Sequence, residues 1–242
     1  PDASTVVAVL ALFALVGGLS VVQSGVKMQQ VTIEDDTFET ATFLTDYADE
    51  RGWEDDSQSY VFSDWGRNRV YNYFVNGQSD SYGFAQSNYR DFIRQTDASA
   101  ASQTADRARF VVTKPFPVES PAMGVRLHEH FGSRYESVDG LAHYRALYAT
   151  ERGERNAFLF VPGAKIQGTA APNATVSLAT NVSIPNAEFE YERQVQTNAT
   201  GVFSATLANP GTYNLSTGNQ TWTVDVSESA VMNGTRMTAT GP

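Results

Sequence analysis

At Pro162-Gly163 the sequence changes its periodicity, and that change governs what the chain can fold into. Before it, apolar residues at helical spacing alternate with short strand-like runs. Residues 37–51 set Phe38, Ala41, Leu44, Tyr47 and Ala48 near one helical face, with Gly52 as a stop. The run Tyr60-Val-Phe-Ser63 reads as a strand. It leads through Asp64, Trp65 and Gly66 into a helical stretch carrying Val70, Tyr71 and Phe74 that ends at Gly77. Phe110-Val-Val-Thr113 reads as a second strand, terminated by Pro115 and Pro117, and Ser120-Pro121 reads as a helix start with Gly132 at its end. Residues 142–148 and 156–161 form a predicted hairpin around Arg152-Gly153. Strands alternating with helices imply a layered α/β domain over residues 25–162. Over residues 163–229 the helix signals vanish. Predicted strands at 175–183, 189–196, 201–207, 212–216 and 222–226 alternate at period two, with Asn, Gly and Pro between them, which implies an all-β sandwich. Residues 230–242 read as a frayed tail or a truncation end.

Within the second part, the run from Gln196 to Ser204 and then Pro210-Gly-Thr-Tyr-Asn-Leu215 resembles a β-sandwich repeat found beside many carboxypeptidases and surface proteins. In that repeat the Gly closes a hairpin and Pro-Gly-x-Tyr starts the last strands. The resemblance is structural and carries no function.

The chain has no cysteine, so packing alone must hold it. Its net charge is -10, and Lys27, Lys114 and Lys165 are its only lysines. Acidic residues cluster at Asp35-Asp36, Asp49-Glu50 and Glu54-Asp55-Asp56. Concentrated salt screens such repulsion within a few ångströms, so the composition fits a salt-loving organism. No basic stripe exists to neutralise phosphates, which argues against nucleic acid and against anionic lipid surfaces as partners.

The uncharged run from Val6 to Val22 is near the ~17-residue lower limit for crossing a bilayer. No basic region precedes it, so residues 1–24 read as a transmembrane helix, the last of a polytopic protein, with everything after Ser24 outside. A single-pass anchor and an unremoved signal helix are the alternatives. Six N-x-S/T sequons, at Asn173, Asn181, Asn198, Asn214, Asn219 and Asn233, fall in the last seventy residues and none falls earlier. They mark candidate glycosylation sites and an extracellular surface. A Thr/Asn-rich sandwich also meets the pattern by composition.

The chemistry centres on Asp64. A strand delivers its carboxylate into a turn relaxed by Gly66, where open α/β sheets place binding groups, with Trp65 as an adjacent wall. An Asp before a helix can equally cap it, and both readings stand. Arg67 and Arg69 are candidate anion-binding residues, for a lipid phosphate among others, or solvated surface. Tyr71, Tyr73, Tyr82, Phe84 and Tyr89 can stack on sugars or fill core. His128 and His130 lie two apart in a predicted helix, ~200° from each other, so they do not make a metal site. There is neither a nucleophile elbow nor a Gly-rich phosphate loop.

The arrangement around Tyr60-Val-Phe-Ser-Asp-Trp-Gly66 resembles the extracellular domain of the archaeal, halophilic oligosaccharyltransferase catalytic subunit. In that family a strand enters Trp-Trp-Asp-Tyr-Gly, which recognises the Ser/Thr of the acceptor sequon. Asp64, Trp65 and Gly66 match the Asp-Tyr-Gly part, while the paired tryptophans are absent. Tyr82-Gly-Phe-Ala-Gln-Ser-Asn-Tyr89 is similar to the Asn/Phe/Gln segment after the motif. Gly140-Leu-Ala-His-Tyr-Arg145 and the stretch from Val161 to Thr169 resemble the passage into the peripheral β-domain. The resemblance implies the extracellular portion of a membrane glycosyltransferase that moves glycan from a polyprenyl carrier to asparagine, with Asp64, Trp65 and Gly66 helping to bind the acceptor. It implies no catalytic residue, metal ligand or cofactor in this portion, which alone is expected to be inactive. A divalent cation, Mn or Mg, belongs to the expected parent, whose partners are the membrane, lipid-linked sugar and acceptor polypeptide. A divergent paralogue with another acceptor, and a non-enzymatic anchored surface module, are the rival readings.

Overall fold

A four-stranded sheet of order β1-β2-β4-β3 organises the first part: β1 (Val61–Phe62), β2 (Phe110–Thr113), β3 (Tyr144–Ala149) and β4 (Asn156–Phe160). The computed structural model describes residues 33–53, 59–78 and 82–239. β1 runs parallel to β2, and β4 is antiparallel to both β2 and β3. Side chains of successive strand residues point to opposite faces, so one apolar run serves two layers. Val61, Phe110, Val112, Ala157 and Leu159 face α1 (Asp35–Asp49) and α2 (Trp65–Asn76), meeting Ala41, Leu44, Ala48, Tyr71 and Val75. Phe62, Val111, Phe158, Tyr144 and Ala146 face α3 (Tyr82–Arg94), α4 (Ala98–Ala105) and α5 (Met123–His128). Mixed α/β architecture in the first part agrees with the sequence.

Its details differ at four places. Helices α3 and α4 are not among the elements expected from the sequence: α3 buries Ala85, Tyr89, Phe92 and Ile93 at helical spacing, a pattern present in the sequence, whereas α4 is built of Ser, Ala, Gln and Thr, capped by Asp97 on the N–H of Ser99. Phe38 is 49% exposed although the spacing assigns it to the buried face of α1. The third difference is that α5 begins two residues after Pro121, which follows a cis peptide bond. Finally, α5 stops at His128, short of Gly132, whose left-handed φ of 77° turns the chain.

The second part stacks two sheets. One has order β10-β9-β6-β7, from β6 (Thr175–Ile184), β7 (Ala187–Gln196), β9 (Gly211–Thr217) and β10 (Gln220–Val226), all antiparallel. The other has order β11-β5-β8, from β5 (Ala164–Thr169), β8 (Val202–Leu207) and β11 (Arg236–Ala239). Alternating burial puts Ile166, Val176, Leu178, Phe203, Leu207, Tyr213 and Leu215 between the sheets. These sheets, antiparallel except for the β11–β5 pair, are consistent with the expected β-sandwich.

Two expectations fail here. Gly201 does not close a hairpin, because β7 and β8 belong to different sheets. Its φ of 79° turns the chain from one sheet to the other, and the Asn198 side chain holds that turn by accepting from the N–H groups of Thr200 and Val202, both at 2.9 Å. The chain end is not a frayed tail over its described length. Ser227 caps α6 (Glu228–Asn233) through the N–H of Ala230, Gly234 ends the helix at φ 64°, and β11 pairs parallel with β5. The short β11 fully buries only Ala239, too weak a pattern to stand out in the sequence.

From Asp36 onward the chain is one compact unit, and one hydrophobic cluster runs from α1 and α2 into the sandwich. Asp139 joins the two parts by accepting from Arg193 Nη2 at 2.6 Å and from the N–H of Gln194 at 2.8 Å. The expected transmembrane run from Val6 to Val22 lies outside the described residues. Among the described residues no helix is long and apolar enough to cross a membrane.

Candidate functional site

β1 is an edge strand, and an unpaired edge must be satisfied or covered. Helix α2 covers it with three asparagines at i, i+4 and i+8. Asn72 accepts from the N–H of Val61 at 3.0 Å and donates to its carbonyl at 3.0 Å. Asn68 donates to the same carbonyl at 2.7 Å, and Asn76 donates to Asn72 Oδ1 at 3.1 Å. Asn68 and Asn72 are fully buried. This ladder fixes the direction in which β1 delivers the next residues. Ser63 is buried, Asp64 half-buried, and Trp65 58% exposed.

Asp64 occupies the N-cap position of α2, yet its side chain makes no capping hydrogen bond. Its backbone carbonyl accepts from the N–H groups of Arg67 and Asn68. The carboxylate turns instead to Lys114, whose Nζ donates to Oδ2 at 2.9 Å. Parallel pairing explains the meeting: Asp64 follows β1 by two residues, Lys114 follows β2 by one, and the two strand ends lie side by side. Both side chains keep partial exposure, 20% for Asp64 and 33% for Lys114. Side-chain capping is therefore overturned, and the carboxylate is free of the helix it precedes. Gly66 lies within the first turn of α2 and not in a left-handed turn. A Cβ there would come 3.5 Å from Asp64 Oδ2, so its bare Cα leaves the carboxylate uncrowded.

The surroundings are polar and buried. Thr113 Oγ1 is 3.2 Å from His128 Nδ1, and Asn156 Nδ2 donates to the His128 carbonyl at 2.8 Å. Burial pushes the His128 imidazole below its usual range, with Glu129 opposing. Burial also pushes the Tyr71 phenol up to about 12, against the pull of the Arg155 guanidinium. Tyr89 is raised by burial and then by the Asp64 charge, and its hydroxyl donates to the Val112 carbonyl at 2.9 Å. Sequence reasoning singles out neither Lys114 as the partner of Asp64 nor Arg155. Lys114 is one of three lysines in an Arg-rich chain and follows a strand directly, which is the signal that was available.

The other expected site residues separate. Arg69 is exposed, with its guanidinium 5.2 Å from the Tyr82 ring centre, and Arg67 is half-buried one residue past Gly66. Of the aromatic group, Tyr71 and Tyr89 are core, Phe84 packs on Phe62 at 5.2 Å, and Tyr73 is 64% exposed. His130 stacks on Tyr135 at 3.8 Å while His128 is buried against Thr113, so the pair diverges. Among the described residues no three His, Asp or Glu side chains converge as metal ligands. Asn173, Asn181, Asn198, Asn214, Asn219 and Asn233 are all exposed.

Comparison with known proteins bears on the fold. The family described as "Archaeal glycosylation protein B long peripheral domain" matches residues 163–237. The structure superposes on the Archaeoglobus fulgidus oligosaccharyltransferase solved with Zn and sulfate, at TM-score 0.63 and 14% identity, covering 86% of this chain and 46% of that one. The archaeal oligosaccharyltransferase AglB of the same organism, solved with an inhibitory peptide and a dolichol-phosphate, matches at TM-score 0.64 and 13% identity, with 86% and 43% covered. A form tethered to an acceptor peptide containing the NVT sequon matches at 0.65 and 13%, with 86% and 44% covered. No curated protein matches the sequence. The chain thus spans less than half the length of these solved proteins, shares their fold, and resembles the C-terminal part of archaeal oligosaccharyltransferase.

Proposed function

We propose that this chain is the extracellular C-terminal portion of a membrane glycosyltransferase of the oligosaccharyltransferase kind, which transfers glycan from a polyprenyl carrier to protein asparagine. The observation that carries the reading is the Asp64 carboxylate. It stands at a parallel strand end, released from helix capping, beside an exposed indole. A carboxylate so placed accepts a hydrogen bond from an acceptor hydroxyl, and Trp65 supplies an apolar wall for the peptide next to it. The solved relatives carry a sequon peptide in one case and a dolichol-phosphate in another, which supports a peptide acceptor and a lipid-linked donor for this protein. The six exposed sequon asparagines support an extracellular surface, and the composition supports a salt-loving archaeon.

Among the described residues no three His, Asp or Glu side chains stand together to hold a divalent cation. This portion binds and orients the acceptor. Arg67 and Arg69, on the first turns of the same helix, offer positive charge for a phosphate-bearing donor.

One observation favours the divergent paralogue as a second reading. Lys114 already pairs with Asp64, and Ser63 stands buried where the family pattern has tryptophan. An acceptor hydroxyl must then share the carboxylate with an ammonium, which alters what the site selects.

The test is glycan transfer by the intact membrane protein carrying Asp64→Ala, with Lys114→Met beside it. Loss of transfer to a sequon peptide in Asp64→Ala is the expected result. Undiminished transfer removes Asp64 from acceptor binding. Transfer to sequon peptide that appears only in Lys114→Met supports the paralogue.

A further inference from the structure

At the end of the sheet opposite Asp64 and Lys114 lies a cleft of about 650 Å³. Strand polarity puts it there: β2 is antiparallel to β4, so the residues before Phe110 meet those after Leu159. Six side chains give it character, namely Ser102 and Gln103 from α4, Asp106 and Arg107 from the turn that follows, His143, and Phe160 at the end of β4. The volume lies inside the range of small-molecule sites.

Each of these groups has a defined capacity. Arg107 is exposed, its guanidinium sits 4.9 Å from the Phe84 ring centre, and it has no ion-pair partner among the described residues. A stacked guanidinium keeps its N–H edge for a ligand. His143 Nδ1 is 3.0 Å from the Val161 carbonyl. A carbonyl only accepts, so Nδ1 carries the proton and Nε2 of the neutral ring is an acceptor. Asp106 adds a carboxylate acceptor, Gln103 adds both a donor and an acceptor, and both are exposed. Phe160 is half-buried and offers part of its ring.

Donors and acceptors interleaved around an aromatic wall suit a ligand whose own groups both donate and accept and which has a C–H face. Arg109 also lines the cleft, with its guanidinium 4.5 Å from the Trp53 ring centre, and Asp106 set among the two arginines weakens their hold on a simple anion. An apolar ligand would displace water from Gln103 and Asp106 without replacing its hydrogen bonds. The geometry points to a saccharide-binding cleft that takes a short neutral oligosaccharide, formed by Gln103, Asp106, Arg107, His143 and Phe160. This site is separate from Asp64 and does not depend on the acceptor reading.

The test is saturation-transfer difference NMR on the 242-residue chain with cellotriose, maltotriose and chitotriose as probes. At least one trisaccharide should receive saturation, and Arg107→Ala and Gln103→Ala should each weaken it roughly fivefold, the worth of one hydrogen bond. Both substitutions are at exposed positions, and an unchanged thermal midpoint verifies that the fold is kept. Absence of transfer to all three sugars overturns the proposal. So does transfer that persists in both variants, or binding of inorganic phosphate without any sugar.

Discussion

Asp64 Oδ2 lies 2.9 Å from Lys114 Nζ, and the side chain makes no hydrogen bond to the helix that Asp64 precedes. Two residues fifty positions apart meet because the strands before them run parallel. The pair is partly exposed, so its coupling should be about 0.5–1 kcal/mol in dilute buffer. A double-mutant cycle of Asp64→Asn and Lys114→Met, read by denaturant unfolding, measures it. In molar salt the coupling should shrink, since screening then acts within ~3 Å. A coupling that grows with salt contradicts the geometry.

The asparagine ladder should be costly to break. Asn72→Leu keeps the volume but strands the N–H of Val61, while the Val61 carbonyl keeps its hydrogen bond from Asn68. Leaving this buried N–H without a partner should cost about 1–3 kcal/mol, visible as a fall in the denaturant midpoint at constant slope. Asn76→Leu, at a half-buried position, should cost less.

How much of this could be read from the sequence depended on whether a residue's role was local. The helix stop at Gly77 and the hairpin around Arg152-Gly153 follow from local backbone chemistry, and both are present. The strands of the sandwich announced themselves by alternation. Helix α4 did not, because its small residues bury by fitting closely and not by hydrophobic contrast. Lys114 was hidden for another reason: its partner is set by which strand lies beside β1, and that order is a property of the whole sheet. The left-handed turn at Gly201 was legible as a turn, but its destination in the other sheet was not.

His128 gives the fold a pH dependence with a definite sign. Its folded pKa lies below the unfolded value because burial penalises the charged ring. The unfolded chain therefore binds the extra proton first. The stabilisation is complete above the unfolded value, about 6.5, and declines as pH falls below it towards the folded pKa. Comparing His128→Gln with the unmodified chain at pH 7.5 and pH 5.5 isolates this group. The stability gap between the two proteins should move in favour of His128→Gln as the pH falls, and an unchanged gap would contradict a buried neutral imidazole.

Gly66→Ala separates stability from recognition. The position is helical with negative φ, and the added methyl meets only Asp64 Oδ2 at 3.5 Å, an ordinary contact. Helix propensity should raise stability by up to about 1 kcal/mol. If acceptor recognition uses the Asp64 carboxylate, the same methyl fills space beside it that an acceptor would need, and the intact protein should show a higher KM for acceptor peptide with kcat little changed. A gain in stability without any change in KM would mean that the acceptor approaches from elsewhere.

Asp139 tests whether the α/β part and the sandwich unfold as one. Its carboxylate holds Arg193, which is 14% exposed, and also accepts from the N–H groups of Gly140 and Gln194. Arg193 in turn donates to the Thr206 carbonyl at 2.7 Å, so one carboxylate links the loop before β3 to strands of both sandwich sheets. Asp139→Ala leaves a mostly buried guanidinium without its counter-charge, at a cost of about 3 kcal/mol. Adding Arg193→Met should recover part of that loss by removing the stranded charge. Because one apolar cluster runs through both parts, the Asp139→Ala chain should still unfold in a single transition, shifted to lower denaturant. Two resolved transitions would mean that Asp139, and not the shared core, is what couples the parts.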